Sequence, residues 1–314
     1  MLSNPLASPD LVPVLRVVLG LLGTSLALLL VGVWGLRAKR GVRRLAGSTL
    51  FRRWRVWAVI APIYALAVMS GPVPLLLLLL ALTVQGLREY SALVALPGPY
   101  RRFLVFTGLL AAPAALVSPD LVAVLLPLLF IVATLQPLLF HHGQEGVRHL
   151  AFAALGWAYV AWFLAHLMLL DRDIVGGAGI LLAIGLGTAL SDVGAFTVGK
   201  TFGRHKMAPR LSPNKTWEGG VGNLLGASVG VVLFAPVLPV LLRPALLVLL
   251  PPVIALGAVW GDLLESSIKR EFGVKDAGTW LPGFGGLLDR IDSLIVVGPL
   301  VFYVLHLGAP LIYH

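Results

Sequence analysis

The feature that most restricts this chain is a succession of apolar blocks separated by short, mostly basic loops. The blocks run over 11–36, 56–70, 73–87, 103–117, 121–140, 150–170, 174–198, 221–242, 245–264 and 291–313. In hydrocarbon a helix satisfies its own backbone polar groups, and about 17–25 apolar residues reach across. A transmembrane barrel would need apolar and polar residues to alternate, and these blocks do not. The pattern predicts an all-α, polytopic integral membrane protein with about ten transmembrane helices. Composition agrees: 58% of residues are hydrophobic and 12% charged, against about 25% charged in soluble domains. The blocks at 56–70 and 73–87 are short and meet at Gly71-Pro72, which predicts a tight helical hairpin. The first block lacks a basic leader and a small-residue cleavage site, so it is expected to stay as a helix.

Charge sets the orientation. Ten alternating helices put loops 37–55, 88–102, 141–149, 199–220 and 265–290 on one side, and these hold 21 of the 24 Lys and Arg residues. Cytoplasmic loops collect such residues. The basic loops are therefore expected in the cytoplasm and both termini outside, in a multi-pass protein of the cell membrane. The net charge of +10 then serves anionic membrane lipids, at about 1 kcal/mol per basic residue, and calls for no nucleic acid. The absence of cysteine rules out disulfides and thiolate-bound metal. No internal repeat of the kind that marks many transporters stands out, and a homodimer is left open.

Two loops carry polar chemistry. In the first, Asp192 sits inside an apolar block, about two turns before the loop, where a carboxylate needs a partner, a metal or a water-filled cavity. Lys200, Arg204, Lys206, Arg210 and Lys215 follow closely with His205 among them. Five fixed cations suit a di- or triphosphate, although a positive-inside loop accounts for the same count. Ser212-Pro213-Asn214 reads as a turn. Thr216-Trp217-Glu218-Gly219-Gly220 opens the next helix, where small residues let a phosphate approach backbone N–H groups.

The second loop lies within Trp260–Ser293, which holds six of the 14 acidic residues. At about 100° per residue, Asp262, Ser266 and Lys269 share one narrow helix face, with Glu265 on its margin. A carboxylate, a hydroxyl and an ammonium in a row suit a hard cation and a phosphate. After the glycine-rich turn Pro282-Gly283-Phe284-Gly285-Gly286, Asp289 and Asp292 are one turn apart on the last helix. Asp262 and Asp289 are expected to meet across one or two ions, and hard oxygen ligands favour Mg²⁺. Ion pairs, Asp262 or Glu265 with Lys269 and Asp289 with Arg290, account for the charges in the other way.

From Ser266 to Asp292 the sequence reads S-S-I-K-R-x₄-K-D-x-G-x₂-L-P-G-F-G-G-L-x-D-R-I-D. This closely resembles the signature of the phosphatidate cytidylyltransferases, also called CDP-diacylglycerol synthases. The upstream S-D-x-x-A-F and S-P-N-K-T-W-E-G-x-x-G stretches are similar to that family's motifs as well, so the resemblance covers about residues 185–310. Phe284 stands where the family pattern has His.

The resemblance implies transfer of a cytidylyl group from CTP to phosphatidic acid, giving CDP-diacylglycerol and pyrophosphate. It implies that Asp262 and Asp289 hold Mg²⁺, with a second ion that is divalent or K⁺, and that Ser266 and Lys269 contact phosphate. Asp192 and Lys215 would belong to the same pocket, with Lys206, Ser212, Glu218, Arg270, Lys275 and Arg290 as further substrate contacts. On this reading residues 1–170 are N-terminal transmembrane helices, and 171–314 form the catalytic region with its two motif loops. A related CTP-dependent lipid kinase, a cytidylyltransferase for another lipid, and a non-catalytic or transport paralogue marked by Phe284 are the other readings.

Overall fold

The computed structural model describes residues 11–35, 49–140, 145–280 and 285–308. The centre of the first basic loop, the Pro282-Gly283-Phe284 part of the glycine-rich turn, the two termini and the end of the last apolar block lie outside the described residues. Helix follows helix: α1 (Leu11–Gly35), α2 (Thr49–Met69), α3 (Pro72–Leu93), α4 (Gly98–Gly108), α5 (Ala111–Val117) and α6 (Pro119–Phe140). Then come α7 (Gly146–Asp173), α8 (Gly177–Phe202), α9 (Trp217–Leu233), α10 (Arg243–Glu271) and α11 (Leu288–Gly308). Among the described residues six segments are long and apolar enough to cross a membrane, α4 and α5 counting together as Gly98–Val117. The expected hairpin is present: Gly71 turns with φ 94°, and Pro72 opens α3.

Two expectations need correction. A two-stranded antiparallel sheet interrupts the helices, β1 (Lys206–Ala208) against β2 (Ser212–Thr216). Ser212-Pro213-Asn214 is therefore strand, and the turn falls at residues 209–211. The last part of the 221–242 block is not helix either, because α9 ends at Leu233 before a short 3₁₀ turn at Ala235–Val237.

Small residues set the helix spacing in the C-terminal half. A methyl group at Gly194 would strike the carbonyl of Gly222, one at Gly226 the carbonyl of Leu190, and one at Gly230 the backbone of Gly187. Helices α8 and α9 therefore touch backbone to backbone, as small residues allow in a bilayer where no hydrophobic force drives association. Helices α10 and α11 do the same at Gly257 and Gly261.

The polar loops gather at one end. Tyr100 stacks obliquely on His149, Glu89 accepts from the amides of Leu287 and Leu288, and Lys215 bonds the Val259 carbonyl. At the other end Arg172 reaches the Ala115 carbonyl and Arg243 the carbonyls of Pro236 and Leu238. Between the ends, Leu77, Phe106, Val124, Val229, Val248 and Leu256 point outward, which is the surface a bilayer covers.

Candidate active site

The site begins with a close backbone approach. Gly261 lies so near α11 that an added methyl would meet the Asp292 carbonyl and, at 2.8 Å, the Ser293 Cα. The Ser293 hydroxyl donates across the same seam to the Ala258 carbonyl at 3.3 Å. Asp262, the next residue along α10, is thereby brought to Asp292. Glu265, one turn further, joins them: ligating oxygens of Asp262, Glu265 and Asp292 all lie within 4.8 Å of one another. The Oε1 atom of Glu265 is buried and accepts no hydrogen bond among the described residues.

Cations brace this carboxylate group from two sides. The Lys215 ammonium, carried in by β2, sits 2.7 Å from Asp262 Oδ2. The Lys269 ammonium bridges Glu265 Oε2 at 2.5 Å and Asp289 Oδ1 at 2.8 Å. Ser266 donates to Asp262 Oδ1 at 3.3 Å. Asp192 lies on α8, where the charges of Asp292, Asp262, Lys215 and Arg290 act on it, which puts it in the neighbourhood of this group.

Asp289 has another occupation. Its two oxygens accept from the Ala277 amide at 3.2 and 3.0 Å, from the Gly286 amide at 2.8 Å, and from Lys269. It ties the loop after α10 to the start of α11. The carboxylate that joins Asp262 is Asp292, whereas Asp289 is joined to the group through its ion pair with Lys269. Gly285 adopts φ +87°, and a side chain there would press on Asp289, so that glycine is dictated by geometry. Gly273, with φ +67°, ends α10, as the Val274 amide reaches back to the Lys269 carbonyl.

Sequence reasoning missed Glu89. This buried carboxylate on α3 caps α11 by accepting from the Leu287 amide at 3.0 Å and the Leu288 amide at 2.8 Å. Gln85, one turn earlier, donates to it at 2.8 Å. The available signal was an acidic residue beside Arg88 in a loop otherwise expected to be basic.

At Gly219-Gly220, the expected phosphate cradle, one amide is already engaged. The Thr216 side chain already accepts from the Gly219 amide at 3.1 Å, and Gly219 packs on Ala195 and Gly199 of α8. Glu218 accepts from the His205 ring at 2.7 Å and from the His205 backbone amide. Its own amide, then the His205 ring, hold the Glu218 carboxyl down to about 2. It clamps the hairpin onto α9. Lys206, Arg270 and Lys275 are exposed, and among the described residues no hydrogen bond or ion pair joins them or Ser212 to the carboxylate group.

The signature of the cytidylyltransferase family matches residues 51–308. The chain belongs to that family. The matched span runs from α2 to the end of α11 and contains every side chain of the cleft. Uncharacterized protein YnbB of Escherichia coli (strain K12) is 34% identical over 266 residues, covering 82% of this chain and 87% of its own length. The phosphatidate cytidylyltransferase of Thermotoga maritima is 35% identical over 185 residues, 57% of this chain and 68% of that enzyme. The one from Mycobacterium leprae (strain TN) is 38% identical over 139 residues, 44% of this chain and 43% of the enzyme. The chain thus spans less than half of the latter enzyme.

A divalent cation fits this member of the family on its own geometry. Asp192, Asp262, Glu265, Asp289 and Asp292 outnumber the cations Lys215, Lys269 and Arg290 around them. Excess negative charge in a cleft meant for an anionic substrate needs an offset. All the donors are hard oxygens, and Glu265 Oε1 accepts no hydrogen bond among the described residues. Among the described residues no second group of three ligating side chains forms.

Proposed function

We propose that this protein transfers the cytidylyl group of CTP to phosphatidic acid, giving CDP-diacylglycerol and pyrophosphate, in phospholipid synthesis. The observation that carries the reading is the carboxylate group of Asp262, Glu265 and Asp292, braced by Lys215 and Lys269 at the polar end of a membrane helix bundle. In the reaction a phosphate oxygen of the lipid bonds to the α-phosphorus of CTP. The bond from that phosphorus to the bridging oxygen breaks, and pyrophosphate leaves.

Phosphatidate needs little general-base help, since the second pKa of a phosphomonoester is about 6. The obstacle is the meeting of two anions. Asp262, Glu265 and Asp292 would hold Mg²⁺, which would supply positive charge to offset the phosphates and the departing pyrophosphate. Lys215 and Lys269, already aimed into the cleft, add fixed positive charge, and Ser266 offers a hydroxyl to phosphate. Asp289 holds the loop over the cleft rather than sharing the ion. Lys206, Arg270, Lys275 and Arg290 draw anions to the mouth, and Asp192 lines the wall. The bundle crosses the cell membrane ten times with both termini outside, so CTP enters from the cytoplasm and the lipid from the bilayer. Residues 171–314 form the catalytic region, with Glu89 contributed by the N-terminal helices.

The test is turnover by purified protein in detergent with phosphatidic acid, labelled CTP and Mg²⁺. Labelled CDP-lipid and equimolar pyrophosphate are expected. No product under these conditions sinks the reading, and preferred use of another lipid phosphate in direct competition reassigns the acceptor.

A further inference from the structure

One buried polar group has no role in the scheme so far. Helix α7 is not a regular α-helix: residues Trp157–Trp162 form a π-helical turn. A π turn adds a residue to the helical repeat and rotates the side chains beyond it, and such turns gather at functional sites. Tyr159 lies within this turn, buried next to Val160. The charges that act on its hydroxyl are Asp292, Glu265, Asp262 and Asp289. The turn is seated there because Gly86 on α3 leaves room for Val160, beside Leu288 and Ile291 of α11.

Tyr159 is 1% exposed, and its hydroxyl bonds no protein group among the described residues. A buried phenol left without a partner is costly, and nearly every such group in a folded protein is satisfied by protein or by ordered water. Glu265 Oε1 is also buried and also without a partner. A donor and an acceptor are thus both enclosed and unpartnered among the described residues, and Glu265 is one of the charges that act on the Tyr159 hydroxyl. Phe163 covers the Tyr159 ring edge-on, at 6.4 Å between centroids, which fixes the ring without using its oxygen.

We infer that Tyr159 is a positioning residue for the cation site: its hydroxyl donates, through one buried water, to the carboxylates of Glu265 and Asp292, and so sets their affinity for a divalent cation. The inference rests on the proposed role of those carboxylates. Hydrogen bonds behind metal-binding side chains typically tune affinity by about 10–100-fold.

The variant Tyr159→Phe removes one oxygen and keeps the ring. Binding of Mn²⁺ to the detergent-solubilised protein, followed by electron paramagnetic resonance without substrates, should weaken about tenfold or more. The Mg²⁺ concentration for half-maximal turnover should rise in parallel, with KM for CTP at saturating Mg²⁺ unchanged. The melting temperature without cation should not fall. Phe163→Leu, which disturbs only the ring's packing, should leave Mn²⁺ affinity as in the wild type. Unchanged Mn²⁺ affinity in Tyr159→Phe overturns the inference, and so does an equal loss in Phe163→Leu. Because the readout is cation binding, it separates from the activity itself: a wild type that binds Mn²⁺ but transfers no cytidylyl group leaves Tyr159 tested and the reaction refuted.

Discussion

At the scale of single residues, two lysines with similar bonds should behave differently, and burial decides between them. Lys269 and its partners Glu265 and Asp289 are 11%, 1% and 3% exposed. Replacing Lys269 with Met leaves two enclosed carboxylates without counter-charge, a loss of about 3–5 kcal/mol. Lys215 pairs with an Asp262 side chain that is 40% exposed, where solvent screens the interaction to about 1 kcal/mol or less. Both Met variants should lose turnover, yet only Lys269→Met should unfold at a clearly lower temperature in detergent. Equal melting temperatures for the two would remove Lys269 from the framework. Glu218 provides a pH signature. Its carboxyl is held at about 2 against an ordinary 4.5, so its clamp on the hairpin is complete above the ordinary value. The clamp is lost as pH falls through the depressed one. Hydrogen exchange across 206–216, corrected for intrinsic rates, should show protection falling away below about pH 4 in the wild type and a smaller pH response in Glu218→Gln. Matching profiles would deny the clamp.

At the scale of helices, the decisive contact is α10 on α11. Gly261 has no room for a side chain, because what it meets is the backbone of Asp292 and Ser293, which a rotamer change does not clear. Gly261→Val should part the two helices, separate Asp262 from Asp292, and abolish Mn²⁺ binding together with turnover. The same substitution at Gly273, where open space surrounds the residue, should strain the cap but spare cation binding. Were Gly261→Val to bind Mn²⁺ normally, the carboxylate group would not depend on this seam. The seam also shows what the sequence could and could not reveal. That Asp262, Ser266 and Lys269 share a face was readable, because helical spacing fixes it within one element. Which carboxylate of the next helix meets Asp262 was not readable, because register between helices depends on backbone contact. Asp289 and Asp292 are one turn apart and equivalent on paper, yet Gly261 selects Asp292. Likewise the glycines opening α9 read as a phosphate cradle from their residue type, whereas the packing of Gly219 against α8 depends on contacts between helices and left no local trace.

At the scale of the molecule, blocks of hydrophobicity gave the helices away, whereas the capping of α11 by Glu89 joins positions 198 residues apart and leaves no local trace. The same long-range contacts yield an argument about orientation. Lys215 bonds α10 at Val259, Lys269 meets Asp289, and Glu89 meets Leu287, so the stretches 88–97, 203–216, 272–280 and 285–287 belong to one end. Arg243 begins α10 at the other end, a helix of 29 residues away, which is roughly 40 Å at 1.5 Å per residue and enough to cross a bilayer. Those stretches carry Arg88, Arg204, Lys206, Arg210, Lys215 and Lys275 against Arg172 and Arg243 at the other end, so the more basic end should face the cytoplasm. The chain has no cysteine, so single cysteines report position without any background removal. In intact cells, Arg210→Cys and Lys275→Cys should resist a membrane-impermeant maleimide and react only after permeabilisation. Pro244→Cys, beside Arg243 and exposed, should react at once. Labelling of residue 210 or 275 from outside would turn the molecule over and leave the cleft facing away from cytoplasmic CTP. Labelling of 210 and 244 from the same side would contradict the crossing of α10 itself.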